Sequence, residues 1–116
     1  MVQEMLIAMG RKCLVTPNQS VGRSESLLVI EGEVLIVIFD NSGEVSQKQV
    51  MGSPESKKPF LYRFNNTPWH TMIPLTEMVL VHETLQGPFE ESSQPLPEWV
   101  PTETSLLKDF LQDIKY

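Results

Sequence analysis

Most apolar residues of this chain fall in short runs rich in β-branched side chains, with glycine, asparagine and proline between them. Such runs are typical of the strands of an all-β domain. Two of them, residues 27–30 and 34–39, flank Gly32, which supplies the positive φ that a tight hairpin turn needs. The second run is apolar on both faces. We therefore expect one face in the interior and the other against another sheet or a partner chain.

The next segments continue this pattern. Residues 40–43 form a strong turn, which leads into a half-exposed strand over 44–50. Phe60, Tyr62 and Phe64 occupy alternate positions, which predicts a strand with one aromatic face.

Three further segments complete the β-rich part. A turn at 65–68 leads into Trp69 and His70, and residues 78–85 predict another strand. Residues 3–9 fit either a short helix or a strand, and Gly10 ends either one.

The C-terminal part has a different composition. Residues 88–101 hold four prolines and little periodicity, which predicts an extended segment on the surface. A helix is expected over 102–116, with Thr102 as its N-cap and Glu103 beside the positive end of the helix dipole. Its apolar stripe at helical spacing consists of Leu106, Leu107, Phe110, Leu111 and Ile114.

Length and charge narrow the class of protein. A chain of 116 residues is one domain with one modest core. A net charge of −6, without a cluster of Lys or Arg, argues against nucleic acid and membrane as partners. Cys13 is the single cysteine, so no internal disulfide forms, and a reducing cytoplasm is the natural setting. No apolar run is long enough to span a bilayer.

Two positions carry candidate chemistry. His70 has an ordinary pKa near neutrality and suits general acid or base catalysis, although the residues alone favour a hydrogen-bonded core histidine. His82 and Glu83 are neighbours on a predicted strand and therefore face opposite sides. One of the two therefore faces the interior. No nucleophile motif or phosphate-binding glycine loop is present in the sequence.

Four stretches together carry a family resemblance: residues 26–43 (SLLVIEGEVLIVIFDNSG), 69–71 (WHT), 83–89 (ETLQGPF) and 99–103 (WVPTE). In this order they resemble the motifs of the WbuC-type cupin-fold metalloproteins, over most of the chain. The resemblance implies a small cupin-type β-barrel (jelly roll) with a C-terminal α-helix, as a single domain over 1–116. The barrel and the proline-rich segment would occupy 1–101. It also implies that an N-terminal segment, which lines part of the pocket in the family, is missing before Val2.

The same resemblance implies a damaged metal site. The family carries Pro-His-x-His where this chain has Pro17, Asn18, Gln19 and Ser20, whereas Glu25 and His70 match the remaining two metal ligands. One imidazole and one carboxylate bind transition metals weakly, so we expect no cofactor or only a weakly held divalent metal. The double variant Asn18→His/Ser20→His is expected to restore tight binding. A non-metal reading of Glu25, as an exposed residue at a strand entrance, stays open.

Two functions follow from the resemblance. The first is a small-molecule-binding or structural protein with a carbohydrate-like ligand and a link to surface-polysaccharide metabolism. The alternative is a metal-dependent or His-based sugar or sugar-nucleotide isomerase or epimerase, with His70 as the candidate catalytic residue. We expect Trp69, His70 and Glu25 to meet in one pocket, and the protein to form a homodimer through 34–39. The expected ligand pocket consists of Asn18, Ser20, Glu25, Trp69, His70 and Glu83.

Overall fold

The computed structural model describes residues 1–87 and 96–115, apart from the side chain of Lys115. Eight strands and one α-helix make up the fold, with a short 3-10 helix at Pro54–Ser56. The strands are β1 (Val2–Gly10), β2 (Asn18–Ser20), β3 (Glu25–Glu31), β4 (Glu33–Phe39), β5 (Val45–Gly52), β6 (Leu61–Phe64), β7 (Thr67–Pro74) and β8 (Met78–Gln86), and the helix is α1 (Thr104–Lys115). The predicted all-β fold with a C-terminal helix is confirmed at this level.

The strands form two four-stranded antiparallel sheets. Sheet I has the order β1-β8-β3-β6, and sheet II has the order β2-β7-β4-β5. Alternate side chains of both sheets point towards each other and form the inner core. The buried residues of this core are Met9, Leu27, Val29, Val34, Ile36, Met51, Phe64, Met72, Val79 and Val81.

A second, outer core lies between sheet II and helix α1. Leu35 and Val37 of β4 and Ile73 of β7 pack there against Leu107 and Leu111 of the helix. The helix therefore covers the outer face of β4, and the expectation that a partner chain or another sheet covers it is wrong. The homodimer stays a prediction, but this face no longer supports it.

Gly32 connects the two sheets. Its φ is 82°, as the sequence predicts. However, β3 belongs to sheet I and β4 to sheet II, so the predicted hairpin between them is wrong. A Cβ atom at this position would lie 2.1 Å from the backbone oxygen of Met78, which explains why the crossing requires glycine.

Two predicted boundaries differ from the structure, while residues 3–9 adopt the strand alternative as part of β1. Phe60 precedes β6 and is exposed. Helix α1 begins at Thr104, so Thr102 is not its N-cap. The carbonyl of Glu103 instead accepts the first helical hydrogen bond, from the backbone N–H of Leu107 at 2.9 Å. Leu106 is exposed although it belongs to the predicted apolar stripe.

The proline-rich segment is only partly described, since residues 88–95 lie outside the described part of the chain. In the remainder, Trp99 and Val100 pack into the outer core, so this part is not a surface segment as predicted. The Trp99 indole N–H donates a 3.0 Å hydrogen bond to the carbonyl of Asn41 in the β4–β5 turn. No helix within the described residues is long and apolar enough to cross a membrane.

Candidate functional site

A partly open cavity of about 290 Å³ lies between the two sheets, at their edge strands β1 and β2. Strand β1 supplies one wall with Ile7 and Met9, and strand β7 supplies the other with His70 and Met72. Glu83 enters from β8. The cavity is therefore mostly apolar, with a few polar side chains directed into it, as is common for small-molecule sites.

His70 is held in one orientation within this cavity. It lies on β7 between Ile38 of β4 and Asn18 of β2, which are its cross-strand partners. Its Nδ1 lies 2.9 Å from the carbonyl oxygen of Pro68. Because a carbonyl can only accept, Nδ1 carries a proton, and Nε2 is left to face the opposite sheet. The ring also packs on Phe64, with ring centroids 5.0 Å apart.

Two carboxylates of sheet I face His70. Glu25 Oε1 lies 3.7 Å from His70 Nε2, and each side chain is only 4% exposed. Glu25 pairs with Leu85, whereas Glu83 pairs with Leu27, so the two glutamates are diagonal neighbours on the inner face of the sheet. We call Glu25, His70 and Glu83 the acid–base cluster.

The pKa values of two members of the cluster are raised. Burial raises the pKa of the Glu83 carboxyl and the neighbouring Glu25 carboxylate raises it further, to about 7, although the charge of His70 acts in the opposite direction. Burial lowers the pKa of His70, but Glu25, the Pro68 carbonyl and Glu83 together outweigh burial and leave it above its ordinary value of 6.5. Near neutral pH the cluster can therefore both donate and accept a proton.

The donor set fits a transition metal poorly. Within residues 1–87 and 96–115, no group of three or more His, Cys, Asp or Glu side chains is arranged to hold a metal ion. One imidazole with neighbouring carboxylates is also a weaker donor set than the multi-histidine sites that retain such ions. The geometry of the cluster suits protons and hydrogen bonds better than coordination.

The predicted pocket residues separate into two groups. Asn18, His70 and Glu83 line the cavity, and Glu25 contacts His70 from the opposite sheet. Ser20 lies beyond a register shift in β2, where it pairs with Thr67, and it is not among the residues that line the cavity.

Trp69 is the clear error among the predicted residues. It follows the alternation of β7 and faces away from His70, into the outer core, where its ring lies 5.5 Å from that of Trp99. The prediction that Trp69 shares a pocket with His70 and Glu25 is therefore wrong. Its role is to pack sheet II against the segment before the helix.

Other cavity residues were not predicted from the sequence. The wall from β1 consists of Ile7 and Met9, and the segment after β1 contributes Cys13 and Val15. Residues 5–9 are all apolar, so the sequence shows no alternation that would mark Ile7 and Met9 as the inward-facing residues of a strand. No local signal indicates that Cys13 reaches the cavity.

Comparisons with known proteins show the fold but no activity. Residues 1–51 match a domain of unknown function, DUF6016. No curated protein matches the chain.

Solved structures with a similar fold come from three unrelated settings. One is an HTH_3 family transcriptional regulator from Vibrio cholerae, with 17% identity, a TM-score of 0.57 and coverage of 76% of this chain and 44% of the regulator. The chain thus spans less than half of that protein. A protein from E. coli strain K12 has 14% identity and a TM-score of 0.55, over 82% of this chain and 90% of that one.

The third is from the Bacillus endospore appendages, which form a novel family of disulfide-linked pili. It has 13% identity and a TM-score of 0.50, over 73% of this chain and 84% of the other. At these identities the likeness extends to the fold alone.

Substitution of Glu25 by glutamine is expected to lower the pKa of both other cluster members. The Glu25 carboxylate raises the pKa of His70 and of Glu83, and glutamine keeps the shape while removing the charge. Titration of the His70 ring protons by NMR measures this change, and His82, which lies on the outer face of sheet I, serves as an internal control. An unchanged pKa of His70 would contradict the described geometry.

Proposed function

We propose that this chain is a cupin-type jelly-roll domain that binds a small, carbohydrate-like ligand in the inner cavity and retains only a remnant of a metal site. The observation that carries the proposal is the acid–base cluster: Glu25, His70 and Glu83 meet beside an inner core that is built of apolar side chains. The motif resemblance supports the cupin type and a link to surface-polysaccharide metabolism, and the single cysteine supports a cytoplasmic setting.

Stability alone does not account for this cluster. Burial of ionisable groups costs free energy, and well-packed apolar residues in their place are often neutral or stabilising. Strands β1 and β3 to β8 each contribute apolar side chains to the inner core. Ionisable groups with shifted pKa values that line a cavity are instead typical of binding and catalytic sites.

The chemistry of the walls suits a polyhydroxylated ligand with an apolar face. Glu83 and the Asn18 side chain offer oxygen acceptors to hydroxyl groups, and the Asn18 amide can also donate. Ile7, Met9 and Met72 provide apolar surface for the carbon face of a sugar ring. A cavity of about 290 Å³ has room for one monosaccharide-sized group.

Binding is tested by NMR titration of the labelled protein with a panel of monosaccharides and sugar nucleotides. We expect shift changes at Asn18, His70 and Glu83 with at least one class, and their loss in Glu83→Leu. The neighbouring substitution His82→Leu is the matched control, because His82 faces the other side of the same strand. The proposal would be contradicted if no compound of the panel shifted the signals of these residues, or if Glu83→Leu bound the ligand as tightly as the unmodified protein.

An isomerase or epimerase is the second candidate, and the pKa of Glu83 near 7 beside His70 favours it. Such enzymes remove and return a proton at carbon, which a carboxylate and an imidazole of this kind can do. Incubation of sugar nucleotides with the protein in D₂O would then place deuterium in the sugar. Deuterium incorporation that is lost in Glu83→Gln would support an enzyme. If no deuterium is incorporated, ligand binding without catalysis stays as the proposed function.

The metal remnant gives a separate prediction. Asn18 lies directly opposite His70 on the neighbouring strand, so Asn18→His would place a second imidazole on the same face of sheet II. We expect calorimetric titration with Zn²⁺ or Ni²⁺ to show weak binding by the unmodified protein and at least a tenfold gain in the variant. Ser20→His, which lies beyond the register shift, is expected to add little by itself. Tight stoichiometric binding by the unmodified protein would show that the remnant is a working site.

A further inference from the structure

We propose that a second pocket, on the opposite side of sheet II, binds an amphipathic anion. The pocket has a volume of about 380 Å³ and lies between the turn after β1, the end of β7 and helix α1. Arg11, Lys12 and Lys108 line it, and we call it the cationic pocket. Its volume lies within the range of small-molecule sites, roughly 300–1,000 Å³.

The charge of this pocket differs from that of the protein. The chain carries a net charge of −6 with nine Lys and Arg residues, and three of these nine line this one pocket. None of the lining residues is acidic among those that the structure describes. Asp109 and Asp113 lie on the same helix, each one position beyond a lining residue, so they face a different side. The result is a local positive field that attracts an anion.

One of the three cations is held in place. Arg11 Nη2 donates a hydrogen bond of 3.3 Å to the carbonyl oxygen of Leu75. No ion pair with a carboxylate within the described chain neutralises Arg11, Lys12 or Lys108. Their charges are therefore available to a ligand at the rim.

The floor of the pocket is apolar. It consists of Leu14, Ile73 and Leu111, which also belong to the outer core. A small hydrophilic anion would leave this floor in contact with water, whereas a ligand with an alkyl body would cover it. A cationic rim above an apolar floor therefore selects an alkyl chain with an anionic head, either a carboxylate or a phosphate.

The test uses octanoate and octyl phosphate as probes, with octanol and inorganic phosphate as controls, in calorimetric titrations of the full chain. We expect both alkyl anions to bind more tightly than either control. Lys12→Gln/Lys108→Gln should raise their Kd at least tenfold, while Lys57→Gln, which removes a cation from a distant loop, should leave it unchanged. Preference between the two anions identifies the natural head group.

Four results would overturn the proposal: no binding of either alkyl anion, equal binding of octanol, equal binding of inorganic phosphate, or no effect of the double variant. Cys13 offers an independent readout because it lines the pocket and is the single cysteine. Saturating octanoate should slow its alkylation by iodoacetamide, as followed by mass spectrometry. The protection should disappear in the double variant, and a rate that octanoate does not change contradicts binding here.

A different observation, on the outer face of sheet I, carries a second inference. Leu6, His82, Leu28 and Leu61 lie opposite one another in one row that crosses all four strands. Leu6 is 67% exposed and Leu61 is 58% exposed. Together with the half-buried Leu28 and His82 between them, they form a largely apolar strip on this face. Strips of this kind mark interaction surfaces.

The charges beside this strip fit a second copy of the chain. The adjacent row runs Glu4, Thr84, Ser26, Arg63, with opposite charges at its two ends. The Arg63 guanidinium lies along the face, since its Nη1 donates a 3.1 Å hydrogen bond to Ser26 Oγ. A two-fold axis parallel to the strands would place Glu4 of each copy over Arg63 of the other. We infer that this face forms a homodimer.

Charge reversal tests this arrangement by sedimentation at micromolar concentration. Glu4→Arg and Arg63→Glu should each raise the dimer Kd at least tenfold, and the two together should restore it, because the pairs re-form with exchanged signs. Lys57→Glu is the charge-matched control and should have no effect. A protein that is only monomeric, or a dimer that the single variants do not weaken or the double variant does not restore, would overturn the inference.

Discussion

Replacement of Trp99 by alanine is expected to lower the free energy of unfolding by about 3 kcal/mol, the lower end of the usual cost for a large aromatic side chain, because Trp99 is only partly buried in the outer core. Trp99 contacts three aromatic rings of the outer core, with ring centroids 5.2 Å away at Phe39, 5.5 Å at Trp69 and 6.5 Å at Phe110. Its indole also lies directly against Gly43, where any Cβ would come within 2.6 Å of the ring. The side chain thus ties the helix, sheet II and the β4–β5 turn together.

Urea unfolding followed by circular dichroism measures this loss. Leu106→Ala is the matched control, because Leu106 lies on the helix but is 54% exposed, and its loss should change stability by no more than about 0.5 kcal/mol. Equal effects of the two substitutions would mean that the outer core does not hold the helix. Loss of the near-ultraviolet signal before the main transition in Trp99→Ala would show that the helix detaches first.

The stability of the protein is expected to fall as the pH rises from about 5 to about 9. Glu83 has an ordinary pKa of 4.5 and a pKa of about 7 in the folded protein, so folding favours its protonated form. This contribution is fully present below 4.5 and is lost as the pH rises through 7. His70, whose pKa is also raised, acts in the same direction above its ordinary value of 6.5.

Glu83→Gln isolates the contribution of the glutamate. Glutamine stays neutral, so the variant should lose less stability with rising pH and should exceed the unmodified protein at pH 9. We expect a difference of about 1–2 kcal/mol, which allows for the partial solvent exposure of the side chain. Urea unfolding at several pH values measures it, with His82→Gln as the control on the opposite face. Parallel stability curves for Glu83→Gln and the unmodified protein would contradict the raised pKa of Glu83.

The local pattern of apolar and polar residues was sufficient to predict most strands and part of the candidate site. Alternation placed His82 and Glu83 on opposite faces of the strand, and the family resemblance favoured Glu83 as the inward one; in the structure Glu83 lines the inner cavity and His82 does not. The same alternation separates Trp69 from His70, because neighbours on a strand face opposite sides. The error at Trp69 came from treating a short motif as one spatial unit.

Contacts between segments that are far apart in the sequence could not be predicted from local pattern. The apolar residues of 34–39 indicate that both faces of β4 are covered, but not that the helix, about seventy residues later, covers one of them. Gly32 predicts a turn but not whether the next strand joins the same sheet. The register shift that moves Ser20 away from the cavity depends on pairing with β7, which the sequence of β2 alone does not contain.

Cys13 borders both the inner cavity and the cationic pocket, so the short segment that contains it is a common wall between two spaces with opposite chemistry. The thiol is exposed and free. A thiol-directed reagent at Cys13 therefore reaches both spaces. The rate at which a small reagent modifies the thiol would report a ligand in either space, and a bulky adduct would reduce the volume of both. Covalent fragment screening against this one residue would therefore supply ligands and crystallographic probes for both spaces.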